Sequence, residues 1–296
     1  MRRFVILVIC CAALWSTIAR ANAATELQTF GFDGYDRTYR VYRPAGLSWS
    51  SPVPLVVVLH GGFGSSFQAE SAYHWDGVAD EHGFVVLYAD GYQRSWNAGG
   101  CCGPAVRDGM EDVAFLTNLI EHLYTAQRID RERVYVTGIS NGAMMAYRFA
   151  CESRLPIAAI GPVSGSLEVP CTDAQRTSVL HIHGLDDHNV PFAGGMPSEG
   201  LERSQRRPVP EGIAQWRKID GCGSASVKKD GPVTTESTNC EREREVTLIT
   251  VAGAGHQWPG SEPAPGPVAS MLHLDPPSQA LDATSVLWAF FATHHA

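Results

Sequence analysis

Residues 134–148 read VYVTGISNGAMMAYR, and this stretch decides the fold. Val134, Tyr135, Val136 and Thr137 are β-branched or aromatic and favour a strand, whereas Ala143, Met144, Met145 and Ala146 favour a helix. Gly138 and Gly142 flank Ser140 and leave no room for a relaxed loop between the two elements. A turn that sharp forces its central residue into strained backbone angles, and the missing side chains let strand and helix approach one another. The expected result is a serine hydroxyl at the tip of a strand and at the positive end of a helix, where developing negative charge is favoured. Gly-x-Ser-x-Gly alone also describes an ordinary turn, so a function must come from the neighbouring strand ends.

Outward from this elbow, apolar runs alternate with amphipathic stretches. Strands are expected at 37–43, 55–60, 84–89, 134–138, 157–165, 179–183 and 246–252, and helices at 68–81, 111–126, 142–152, 211–219 and 278–292. Several of these strands are continuously apolar, as strands covered on both faces are. The fold class is therefore α/β, a doubly wound, mainly parallel sheet with helices on both faces. Ligands of such sheets bind beyond the carboxyl ends of the strands, so chemistry is expected in the segments that follow them.

After LVVVLH (55–60) come Gly61, Gly62 and Phe63, whose backbone N–H groups can approach a substrate oxygen without obstruction. One of Gly62 and Phe63, together with the N–H of Asn141, is expected to form an oxyanion hole. After VLHIH (179–183) two aspartates, Asp186 and Asp187, compete for the place of a histidine-orienting carboxylate. After the last strand His256 stands in a Gly-rich loop, with His273 as the alternative base. Trp96 and Trp258 fall in segments expected to form the same rim, where ring faces could hold a phenolic group or a sugar; the competing reading is that such tryptophans pack beneath loops. Asn97 and Asp112 are expected to brace the loop carrying Cys101 and Cys102.

Composition narrows the class. Arg2 and Arg3 precede an apolar run to about Ile18, and Ala21-Asn22-Ala23 offers a cleavage site, so residues 1–23 are expected to be a signal peptide and 24–296 one catalytic domain. The formal charge is −8, or −11 once the three arginines of 1–23 are set aside, which argues against nucleic acid or an anionic membrane as partner. A monomer is expected. Beyond residue 23 six cysteines remain, an even number in an exported chain, which favours disulfides over metal or thiol chemistry. Cys222 and Cys240 are the expected pair, because they close a short polar segment unable to bury a core; adjacent Cys101 and Cys102 are expected to take separate partners. The histidines and acids show no metal-binding spacing, so no metal or cofactor is expected.

LHGGFGSS, SWNAGGCCG, EDVAFL, VTGISNGAMMAYRFAC, IHGLDDHNVPF and GAGHQWPG together resemble the secreted polyhydroxybutyrate depolymerase-like esterases, which are close to the feruloyl esterases of carbohydrate esterase family one. The match spans roughly residues 29 to 292. It implies the α/β-hydrolase fold and a serine carboxylesterase acting on small-molecule or polymer esters. It places the nucleophile on Ser140, the acid on Asp187 and the base on His256, in the chain order of α/β-hydrolases. Leu185 and Phe192 stand where that family usually has Thr and Tyr. Feruloyl, acetyl and short hydroxybutyrate esters all remain open, as do a serine peptidase of the same fold and a non-catalytic polymer binder.

Overall fold

The protein was analysed as a computed structural model that describes residues 25–199, 204–263, 266–272 and 274–296; the expected signal peptide and His273 lie outside the described residues. In chain order the strands are β1 (Leu27–Phe32), β2 (Tyr35–Tyr42), β3 (Val53–Leu59), β4 (Val85–Ala89), β5 (Ile129–Ile139), β6 (Ala159–Val163), β7 (Ser178–Gly184), β8 (Ser226–Asp230), β9 (Val233–Asn239) and β10 (Glu245–Val251). The helices are α1 (Ser66–Tyr73), α2 (Trp75–His82), α3 (Gly103–Arg107), α4 (Asp112–Ala126), α5 (Asn141–Glu152), α6 (Val209–Asp220), α7 (Gly266–Leu272) and α8 (Ala283–Phe291).

The strands form one sheet in the order β1-β2-β4-β3-β5-β6-β7-β10-β9-β8. The six central strands from β4 to β10 run parallel, and antiparallel pairs close both edges. This is the doubly wound, mainly parallel sheet the sequence leads one to expect. Strand alternation sorts the core into two clusters. In β3, Leu55, Val57 and Leu59 join α4 and α5 on one face, while Val56 and Val58 join α2 and α8 on the other. All five are fully buried, so β3 has no solvent face, which explains its unbroken apolar run.

Three expectations need correction. The helix expected at 68–81 breaks into α1 and α2 at His74, which caps both in a left-handed conformation (φ 59°). The polar segment closed by Cys222 and Cys240 forms the β8–β9 hairpin and extends the sheet past β10. Cys101 and Cys102 pair with each other rather than with separate partners, because Cys151 is taken by Cys171 and Cys222 by Cys240.

Candidate active site

β5 ends at Ile139 and α5 begins at Asn141, so Ser140 alone makes the turn, with φ 56° and ψ −123°. A non-glycine residue there carries strain that the surroundings must hold in place. Its N–H donates to Val163 O of the neighbouring β6 (2.9 Å) and its carbonyl accepts from Met144 N–H in the first turn of α5 (2.9 Å). The flanking glycines are steric requirements. A Cβ on Gly138 would stand 2.5 Å from Leu59 O, and one on Gly142 would overlap Leu59 O and lie 2.5 Å from His60 O. Both obstacles are main chain at the end of β3 and one residue beyond it, which cannot yield without moving that strand. Gly142→Ala is therefore expected to cost about 3 kcal/mol and to lower the thermal midpoint by roughly 6–12 °C. A calorimetric midpoint within a degree or two of wild type would show that strand and helix are not this closely seated.

Past β3, His60 is fully buried and its tautomer follows from its partners. Gly61 O only accepts, so Nδ1 carries the proton (2.7 Å), and Nε2 accepts from Gly91 N–H (2.9 Å). Burial, opposed by smaller contacts, holds its pKa below the usual histidine value, consistent with a neutral ring. His60 thus ties the Gly61-Gly62-Phe63 loop to the segment after β4. Phe63 has φ 63°, and its N–H is already given to Arg94 O (2.8 Å). Gly62 N–H has no partner among the described residues, so of the two expected donors Gly62 is the one left free to meet a ligand.

Asp187 is buried in the loop after β7, whereas neighbouring Asp186 is exposed. Its Oδ1 accepts the N–H groups of Asn189 (2.9 Å) and Val190 (2.7 Å), and its Oδ2 accepts His256 Nδ1–H (2.8 Å). Burial pushes this carboxyl's pKa up, but the charge and hydrogen bond of His256, with His183 and the Val190 amide, outweigh it and leave the value below the ordinary one. The backbone N–H of His256 is in turn held by Asp275 (3.2 Å).

Ser140 and His256 line one cavity of about 160 Å³, together with Gly62, Asn141 and Met144. The structure thus gathers candidate nucleophile, base and oxyanion donors at successive strand ends. Arg206 lines the same cavity, and its backbone bridges to Gly195.

The tryptophans do not join it. Trp96 is fully buried, its indole N–H donating to His60 O (3.0 Å). Trp258 is buried against Tyr73 with ring centroids 4.5 Å apart and donates to Thr284 Oγ1 (3.1 Å). Neither offers a ring face to a substrate, which corrects the expectation for both; each packs beneath its loop. Asn97 and Asp112 do brace the cysteine loop: Asp112 accepts Asn97 N–H (2.7 Å) and pairs with buried Arg37 (2.8 Å).

Two arrangements here escape motif reading. The buried Asn141 side chain clamps the Trp96 backbone, Oδ1 accepting its N–H (2.7 Å) and Nδ2 donating to its carbonyl (2.9 Å). A buried row of rings also runs toward Asp187. Tyr147 Oη lies 2.9 Å from His181 Nδ1, His181 Nε2 lies 3.0 Å from His183 Nδ1, and His183 Nε2 lies 2.8 Å from Val190 O and 3.5 Å from Asp187 Oδ2. Polar residues predicted to sit inside apolar strands, such as His181 and His183, were the available signal.

Similarity to known proteins identifies the family. The family described as Esterase PHB depolymerase matches residues 37–184, half of the 296-residue chain. A putative esterase, NocK, from Nocardia uniformis subsp. tsuyamanensis is 29% identical over 81% of this chain and 76% of its own length. Feruloyl esterase B from Piromyces equi is 28% identical over 72% of this chain; the match spans only 41% of that longer protein. Among solved structures, an acetyl xylan esterase from Aspergillus awamori superposes with a TM-score of 0.59 over 83% of this chain and 98% of its own, at 18% identity, a likeness that speaks for the fold alone. With its elbow at the centre of an α/β-hydrolase sheet, the chain belongs to the Esterase PHB depolymerase family.

Proposed function

We propose that the chain is an exported serine carboxylesterase, with residues 24–296 acting as one catalytic domain. The observation that carries this is the 2.8 Å bond from His256 to buried Asp187, made beside the same cavity that Ser140 lines. In this reading Ser140 Oγ attacks the ester carbonyl while His256 Nε2 takes its proton, and Asp187 holds the imidazole and offsets its charge. The N–H groups of Asn141 and Gly62 meet the oxyanion. His256 then protonates the departing alcohol, and water activated by the same ring releases the acyl group. Three disulfides support export to an oxidising compartment.

The cavity's size bears on substrate. At about 160 Å³ it resembles, in volume, engineered cavities of about 150 Å³ that hold one benzene ring. That supports a single phenolic ring or a short acyl chain over a long lipid tail, and the feruloyl esterase among the relatives fits the same range. The test is a side-by-side panel of methyl ferulate, acetylated xylan, a hydroxybutyrate dimer, a long-chain triglyceride and a peptide anilide. The short and aromatic esters are expected to give the higher kcat/KM. Faster turnover of the triglyceride would sink the substrate reading, and faster turnover of the anilide the esterase reading.

A further inference from the structure

We propose that the mouth of the Ser140 cavity holds an anion subsite built on Arg94, so that preferred substrates are short esters bearing a carboxylate near the scissile bond. This deepens the esterase reading and rests on it.

The first observation is the sign of the charge. The chain carries −8, yet the described residues lining the cavity include Arg94 and Arg206 and no aspartate or glutamate. Arg206 is built into the wall: it is almost fully buried and donates to Ser204 Oγ (2.8 Å). Arg94 is exposed at the rim and differently held. Its Nε–H donates to Gly64 O (3.1 Å), its carbonyl accepts Phe63 N–H (2.8 Å), and its own N–H reaches Gly91 O (3.1 Å). The stem is thereby fixed to the loop that carries Gly62, while no carboxylate pairs with the guanidinium among the described residues.

Some other exposed or half-buried arginines have such partners, while Arg128, Arg131, Arg154 and Arg242 have no ion pair among the described residues. Arg107 pairs with Asp108, Arg133 with Asp130, Arg176 with Glu241 and Arg217 with Glu236. What sets Arg94 apart is its place: among the described residues it is the exposed arginine that lines the Ser140 cavity. The second observation is conformational. Gln93 (φ 45°) and Arg94 (φ 64°) are consecutive non-glycine residues in the left-handed region, facing Phe63 in the same region (φ 63°). Such residues are strained and persist where the surroundings impose them, commonly at ligand sites. Here the imposed turn presents a guanidinium over the cavity with its Nε side anchored. The two remaining NH2 groups form a planar fork that suits a carboxylate. The class of substrate that supplies one includes half-esters of dicarboxylic acids, esters of carboxylated phenols or sugars, and the acid end of a hydroxy-acid oligomer.

The experiment compares kcat/KM within two matched pairs, for wild type, Arg94→Gln and Arg94→Lys. Mono-p-nitrophenyl succinate against p-nitrophenyl butyrate puts the carboxylate on the acyl side. 4-Acetoxybenzoate against its methyl ester puts it on the alcohol side. Intrinsic reactivity cancels when the anionic-to-neutral ratio is compared between proteins, and a general loss of fold or rate would not move that ratio. In at least one pair, Arg94→Gln is expected to lower the ratio roughly five- to tenfold, and Arg94→Lys less, since lysine keeps the charge and loses the fork. About 0.5 M NaCl should erode the wild-type ratio in that pair and leave that of Arg94→Gln unchanged. Ratios equal in wild type and Arg94→Gln for both pairs would overturn the subsite while leaving the esterase standing. Failure of wild type to hydrolyse any of the four esters would overturn both.

Discussion

Ser140→Ala is expected to lower kcat for p-nitrophenyl butyrate by about 10⁶ and to abolish labelling by a fluorophosphonate probe, while the thermal midpoint stays within about 2 °C of wild type. The large number follows from the unit character of a triad: without the nucleophile, base and acid have nothing to activate. Residual rate of roughly 10³–10⁴ over water should survive, supplied by the oxyanion donors and by binding. The small thermal effect follows from the structure. The turn at Ser140 is held by backbone bonds to Val163 and from Met144, both of which alanine keeps. Alanine also meets the left-handed φ of 56° no worse than serine does. A fall in activity is thus separable from a fall in folded protein, by measuring both on one preparation. Retention of more than a few per cent of wild-type kcat would mean that another group attacks the ester.

The strand-end turns were legible because they are written in short codes. Gly138 and Gly142 are demanded by main-chain atoms of Leu59 and His60, far earlier in the chain, but any residue's main chain presents that obstacle, so Gly-x-Ser-x-Gly carries the constraint without depending on which side chain stands there. The parallel core was legible for the same reason: strands buried on both faces, such as Val53–Leu59, read as unbroken apolar runs. What escaped depends on which distant partner a side chain finds. Trp96 turns inward because Asn141, 45 positions later, holds its backbone at both ends. Trp258 is covered by Tyr73, far away in the chain, and nothing in GHQWPG announces that cover. The β8–β9 hairpin was missed because Ser226–Asp230 is exposed at every position, leaving no hydrophobic alternation to detect. Its one local mark is Gly231-Pro232, a glycine-led two-residue loop between the paired Asp230 and Val233. The Cys101–Cys102 pair was misjudged because spacing alone cannot say that Cys151 and Cys171, twenty positions apart, meet each other first.

Asp187→Asn should cost about 10⁴ in kcat, more than the loss of one hydrogen bond would suggest, because the site dictates which way the amide turns. Two N–H groups, from Asn189 and Val190, point at the Oδ1 position, so the amide oxygen must occupy it. The NH2 group then falls at the Oδ2 position, 2.8 Å from His256 Nδ1 in wild type, and donates to that nitrogen. His256 is forced to carry its proton on Nε2, the nitrogen that the proposed mechanism needs bare to accept a proton from Ser140. The neighbouring rings allow no escape. Val190 O can only accept, so His183 Nε2 carries a proton; His183 Nδ1 then accepts from His181 Nε2–H, and His181 Nδ1 from the Tyr147 hydroxyl. Burial holds both histidines below their usual pKa, so the row stays neutral with its donors aimed toward Asp187. The new NH2 would face the His183 N–H as well, donor against donor, where wild type has a carboxylate 3.5 Å away. Stability should report the same group. The folded carboxyl has a depressed pKa, so its contribution is full above the unfolded value of about 4 and fades as pH falls through the folded one. The gap in thermal midpoint between wild type and Asp187→Asn is therefore expected to be widest near neutral pH and to narrow below pH about 4. A kcat within tenfold of wild type at pH 7, or a gap that widens in acid, would show that Asp187 does not hold the imidazole.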